Sequence, residues 1–137
     1  TGCYNVANGY YALAENTTAN NNTATGYRSL RLNTTGTQNT ATGSQSLCKN
    51  TTGSYNVSVG RLALYHNTTA SGNTAVGYKS MFANTTGSES ASFGYEALSQ
   101  MTNSGANAAF GYQALKENTA GNNTAVWFKS SGIQYIW

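Results

Sequence analysis

Apolar and small residues recur along this chain every seventeen residues. Steps of seventeen from Gly77 land on Gly9, Gly26, Gly43, Gly60, Gly94 and Gly111 without a slip. Just before each glycine, and at the matching place near the end, stand Asn8, Thr25, Thr42, Val59, Val76, Phe93, Phe110 and Val126. Two places earlier come Val6, Thr23, Thr40, Val57, Thr74, Ala91, Ala108 and Thr124. Between them the residue is always small: Ala7, Ala24, Ala41, Ser58, Ala75, Ser92, Ala109 or Ala125. Alternation with a period of two over so few positions predicts a short strand. The small middle residue predicts a close neighbour there, either another chain or the far side of the same coil.

After the glycine comes an aromatic column of Tyr10, Tyr27, Tyr78, Tyr95, Tyr112 and Phe128, interrupted by Ser44 and Arg61. Three residues on is a second apolar column: Leu13, Leu30, Leu47, Leu64, Met81, Leu98 and Leu115. That spacing breaks strand alternation, so the chain turns here, through a corner or one helical turn, with Leu as the core anchor. Asn16, Asn33, Asn50, Asn67, Asn84 and Asn118 follow, most of them opening an Asn-Thr-Thr turn in which a glycine would take positive φ. Seventeen residues cannot bury their own apolar side, and stacking remedies this. The expectation is all-β: a β-solenoid or β-roll of about eight 17-residue coils stacked into a rod. Parallel-strand spacing makes that rod on the order of 40 Å long. The Asn column would form an amide ladder, and the Tyr column a stack that this packing favours as buried.

Residues 1–126 carry the repeat, and 127–137 form an apolar cap or a junction to another unit. Trp127, Phe128, Ile133, Tyr135, Ile136 and Trp137 are the candidates for self-association there. Thr1 to Gly9 matches Thr52 to Gly60, so the reading begins mid-repeat, as in a piece of something longer.

Composition changes the picture only in part. Charged residues make up 8% of the chain, and proline and aspartate are absent. So polar a chain could be disordered, but fixed apolar columns and ten tyrosines oppose that. The net charge of +3 comes from seven bases spread along the sequence, which predicts no nucleic-acid partner. No apolar run approaches the roughly 20 residues of a membrane span, so no membrane insertion is expected. Cys3 and Cys48 fall in different columns and define neither a disulfide framework nor a zinc site.

No catalytic, cofactor-binding or metal site is expected. The carboxylates are Glu15, Glu89, Glu96 and Glu117, the only imidazole is His66, and most of them fall at variable positions. Solenoid calcium sites use aspartates in glycine-rich turns, and this chain has none. The Asn-Thr turns create glycosylation sequons at Asn16, Asn33, Asn50, Asn67 and Asn84, and others fall at Asn21, Asn56 and Asn122. Turn chemistry explains most of the same residues.

The stretch Asn73-Thr74-Ala75-Val76-Gly77-Tyr78-Lys79-Ser80-Met81-Phe82-Ala83-Asn84-Thr85-Thr86-Gly87 resembles the repeats of bacterial and phage tail-fibre-like proteins. Gly94-Tyr95-Glu96-Ala97-Leu98 and Gly111-Tyr112-Gln113-Ala114-Leu115 share that style. A more distant likeness is to the head repeats of trimeric autotransporter adhesins. The resemblance covers about residues 1–128 and implies an extracellular, homotrimeric shaft or adhesive head on a cell-surface appendage or virion.

Three classes of function follow. The first is a non-enzymatic structural or adhesive fibre, associating as a trimer or filament through small-residue faces and apolar ends. The second is a carbohydrate-binding solenoid, in which Tyr10, Tyr27, Tyr78, Tyr95 and Tyr112 contact surface glycans or stack as a ladder. An exposed ladder favours this class and a buried one removes its support. Ice binding is third. It needs regular outward Thr pairs, and only Thr23/Thr25 and Thr40/Thr42 supply them.

Overall fold

The computed structural model describes residues 2–127 and the backbone of 135–136. Each repeat contributes one three-residue strand: β1 (Val6–Asn8), β2 (Thr23–Thr25), β3 (Thr40–Thr42), β4 (Val57–Val59), β5 (Thr74–Val76), β6 (Ala91–Phe93), β7 (Ala108–Phe110) and β8 (Thr124–Val126). They pair in parallel and in sequence order, so β1 to β8 form a β-solenoid, and no helix occurs among the described residues. The register is seventeen residues at every step from Val6↔Thr23 to Ala91↔Ala108, and sixteen at the last, Ala108↔Thr124. β9 (Tyr135–Ile136) turns back and pairs antiparallel with β8.

The strands are only part of the coil-to-coil bonding. Backbone amides in the corner reach the neighbouring coil too, as in Leu30 N–H to Ser46 O (3.1 Å) and Leu47 N–H to Ala63 O (2.9 Å). The corner is built from alternating backbone handedness, not from a helical turn. In one coil Lys79 (φ 53°) and Met81 (φ 51°) are left-handed, and the same two columns are left-handed throughout. A branched core anchor such as Leu64, at φ 47°, is an unusual left-handed residue. It persists because stacking satisfies its amide and buries its side chain completely.

The interior is half apolar and half amide. Leu30, Leu47, Leu64, Met81 and Leu98 are fully buried in one file. The small middle residues of the strands, Ala24, Ala41, Ser58, Ala75, Ser92 and Ala109, are also fully buried. They face the far side of their own coil, where Ser46 Oγ donates to Ser58 O (2.9 Å) and Ser29 Oγ to Ala41 O (2.9 Å). They therefore offer no face to another chain, and association through small residues is set aside.

Two Asn ladders complete the core. Asn50 Nδ2 donates to Asn33 Oδ1 (2.8 Å), Asn67 Nδ2 to Asn50 Oδ1 (2.8 Å) and Asn84 Nδ2 to Asn67 Oδ1 (3.1 Å). A second file, just before each strand, accepts the backbone amide of its counterpart one coil on, as Asn39 Oδ1 does from Asn56 N–H (3.0 Å). Both files converge on one carbonyl per coil. Gly53 O receives Asn39 Nδ2 and Asn50 Nδ2, each at 2.8 Å. This accounts for the glycine of the Asn-Thr-Thr-Gly turn in a way the sequence did not suggest. Gly36, Gly53 and Gly87 do not take positive φ, and Ala19 and Ala70 hold the same place. The position requires a small residue because it is buried against the Asn amides and the next coil's carbonyl.

Candidate functional site: a cationic and aromatic side

With Leu, Asn and the small residues inside, the remaining columns sort onto different outer sides. Beyond the turn, the Thr file is tied along the axis: Thr34 Oγ1 donates to Thr51 O (3.0 Å) and Thr51 Oγ1 to Thr68 O (3.0 Å). Those hydroxyl hydrogens are committed to the next coil, which weakens the case for an ice-ordering lattice.

The corner carries the Tyr column and all five bases between Glu15 and Glu89. The Tyr column expected to be buried is outside: Tyr10, Tyr27, Tyr95 and Tyr112 are exposed, Tyr112 by 57%, and Tyr78 is half-buried. The reason is steric. The glycine before each Tyr brings coil backbones too close for a side chain, and the interior is already filled by Leu and Asn. For Gly77, a Cβ would lie 2.4 Å from Gly94 O. The rings stack along the axis, Tyr78 on Tyr95 at 5.1 Å and Tyr95 on Tyr112 at 5.3 Å between centroids.

Onto these rings fold the cations. Arg28 lies 5.0 Å from the Tyr27 ring centre, Lys49 5.3 Å from Tyr65, and Arg61 5.7 Å from Tyr78. Lys79 bridges Tyr78 and Phe82, 5.4 Å from each. The shared contacts show that the residues just after the glycine and those just after the Leu lie on one side. Arg28 and Arg31 also line one cleft with Tyr11, Ala14 and Glu15.

The bases that look scattered in sequence are thus gathered. Between Glu15 and Glu89 the chain holds Arg28, Arg31, Lys49, Arg61 and Lys79 and no acid. Stacking places all five on the corner side of four successive coils. Their positions within the seventeen-residue unit carried the signal, which spacing along the linear chain hides.

Carboxylates bound this strip at both ends, and both are engaged. Glu15 meets Arg31 at 3.5 Å. Glu96 accepts from Lys116 (2.8 Å) and Gln113 (2.9 Å), and these hydrogen bonds, Lys116 first, hold its carboxyl below the usual range. Arg28, Lys49, Arg61 and Lys79 form no salt bridge among the described residues. His66 sits inside the strip, edge-on to Tyr65 and Phe82, with Nδ1 3.5 Å from Lys49 Nζ. Burial, then the Lys49 charge, pushes its pKa down, keeping it neutral near pH 7.

A second surface was not anticipated. The outward strand file runs Thr25, Thr42, Val59, Val76, Phe93, Phe110, Val126, so it turns from polar to apolar along the stack. Phe93 and Phe110 are exposed and stacked in parallel at 5.1 Å.

The remaining candidates fall as follows. Trp127 is exposed, 37%, at the end of the stack. Tyr135 and Ile136 supply the backbone of β9, and their side chains lie outside the described residues, as do Phe128, Ile133 and Trp137. Of the sequon residues, Asn33, Asn50, Asn67 and Asn84 are fully buried, and their Nδ2 atoms bond to neighbouring Asn and backbone carbonyls. The folded coil leaves no room for a glycan on them. Asn16 is half-buried, with Nδ2 on Ala19 O at 3.1 Å, whereas Asn21 and Asn122 are exposed. Among the described residues no group of three or more His, Cys, Asp or Glu could hold a metal, and no helix is long and apolar enough to cross a membrane. No protein-family model, curated protein or solved structure matches the chain.

Proposed function

We propose that this chain is a non-enzymatic, extracellular structural or adhesive fibre segment that self-associates side by side. The observation that carries this reading is the apolar file Val59, Val76, Phe93, Phe110 and Val126 on the outside of a regular stack. Contiguous exposed apolar surface marks an interaction site. A second copy is the partner that suits it, because its own file repeats with the same coil spacing and can match it residue for residue. The association moves from the small-residue face to this strand face, with Trp127 at its end.

Analytical ultracentrifugation with negative-stain microscopy tests it. Phe93→Thr with Phe110→Thr installs the residue that Thr25 and Thr42 already supply in this file, so the coil is preserved. The wild-type chain is expected to associate, as a closed trimer or an open filament. The double variant should weaken that association at least about tenfold, given the loss of two exposed aromatic contacts. A wild-type chain that stays monomeric at high concentration would overturn the reading.

A second reading, contact with surface carbohydrate, is favoured by the exposure of Tyr10, Tyr27, Tyr95 and Tyr112. The two are compatible, since the corner and the strand face are separate surfaces of one coil.

A further inference from the structure

From the cationic strip we infer that the corner side of the four coils carrying Arg28 to Lys79 binds a linear acidic polysaccharide, laid along the stack with its carboxylates or sulfates on Arg28, Lys49, Arg61 and Lys79. The inference rests on the carbohydrate-contact reading and gives it a ligand class and a place.

Charge complementarity comes first. Five bases face one side with no acid in the intervening sequence, and four of them lack a salt-bridge partner among the described residues. Their charged heads lie over the rings of Tyr27, Tyr65, Tyr78 and Phe82, which limits their motion before a ligand arrives. The Nε of Arg28 is enclosed and has no hydrogen-bond partner, so that guanidinium is incompletely satisfied by the chain itself. At its N-terminal end the strip opens into the cleft of Tyr11, Ala14, Glu15, Arg28 and Arg31, about 380 Å³ in volume.

Spacing chooses among anionic polymers. Successive coils advance by about 4.8 Å, so the strip from Arg28 to Lys79 is roughly 14 Å long. An extended polyuronate such as α-1,4-linked polygalacturonate advances by close to one such step per sugar and carries one carboxylate on each. One anionic group per coil therefore meets about one cation per coil. Duplex DNA carries a charge every ~1.7 Å of its axis, far denser than this array. Single strands bind by stacking bases on open aromatic faces. Here Tyr78 is already flanked by Tyr95, Arg61 and Lys79, and Phe82 by Tyr65 and Lys79. Tyrosine hydroxyls and edges remain for sugar hydroxyls, which suits a glycan held by charge more than by ring stacking.

The experiment is calorimetric titration of the folded chain with polygalacturonate at low ionic strength, with amylose and a single-stranded DNA oligonucleotide as comparison ligands. The charge variant combines Arg28→Gln, Lys49→Gln, Arg61→Ser and Lys79→Gln. Each replacement occurs naturally in the same column of another coil, at Gln45, Gln100, Ser44 and Gln113. Polygalacturonate should bind, should weaken at least about tenfold at physiological salt through screening, and should lose at least about tenfold in the charge variant. Lys79→Gln alone, a milder change should the fourfold variant unfold, should lose about two- to threefold by the same loss of one charge. Absence of binding, equal binding of amylose, tighter binding of the oligonucleotide, or unchanged affinity in a folded variant would each overturn the inference. Sedimentation of the same samples separates the two proposals. Polygalacturonate binding by a strictly monomeric chain would sink the fibre reading alone, and association without binding would sink this one alone.

Discussion

Asn50 shows what a single residue does in this fold. Its amide donates to Asn33 Oδ1 and Gly53 O, and its own Oδ1 accepts from Asn67, all at 2.8 Å and fully buried. Asn50→Leu would keep the volume but strand the Asn33 oxygen and one amide hydrogen of Asn67. Each orphaned buried group costs about 1–3 kcal/mol, so a loss of roughly 2–5 kcal/mol is expected. Denaturant unfolding of the variant checks it, and an unchanged midpoint would refute the amide-ladder account. The file already contains one natural exception. Met101 takes the Asn place, Asn107 Nδ2 turns to its sulfur at 3.2 Å, and the ladder from Asn33 stops at Asn84. The ladder beginning at Asn16 was legible from the sequence because its residues recur next to Thr. The companion file of Asn22, Asn39, Asn56 and Asn73 is not legible as a core ladder from the sequence alone. Its role depends on a backbone amide seventeen residues away, which no local pattern reveals.

At the scale of the element, two glycines of one coil make opposite predictions. Gly77 has φ 127°, and a Cβ there would meet Gly94 O at 2.4 Å and its carbonyl carbon at 2.7 Å. Gly72 has φ 72°, its nearest neighbour to a Cβ is 3.8 Å away, and Gln38 and Glu89 occupy the same column with φ near 60°. Gly77→Ala should therefore cost more than about 3 kcal/mol, through a forbidden backbone angle and a collision between coils. Gly72→Ala should change stability by less than about 1 kcal/mol. Thermal melts of the pair decide the matter, and equal effects would contradict the stacking geometry. The strand was legible from alternation around Ala75, and the corner from the broken spacing between Tyr78 and Met81. Its form was not legible, because left-handed φ at Lys79 and Met81 runs against the preference of both residue types and is imposed by the neighbouring coil.

At the scale of the molecule, each strand among the described residues pairs with its sequence neighbours alone, so contacts between strands run between adjacent coils. Stability should then add up coil by coil, with the middle bonded on both sides. Amide hydrogen exchange should show protection rising from β1, whose residues are exposed, to a maximum in β3 to β6. Uniform protection along the stack would instead mean a single all-or-none unit. The stack itself was the most legible feature, because the repeat imposes it. The distribution of charge around it was the least legible: apart from the close pair Arg28 and Arg31, the bases Lys49, Arg61 and Lys79 are well apart in sequence and join them only once the coil is wound. The constant seventeen-residue register has one more consequence. Removing a full unit from the interior, such as 44–60, leaves every ladder in phase and shortens the stack by one step. Removing a single residue shortens one coil instead, as in the sixteen-residue step from Ala108 to Thr124, where the strands still pair column on column. Length in this architecture is quantised, so evolution or design can tune its reach by copying coils while leaving the chemistry of each side intact.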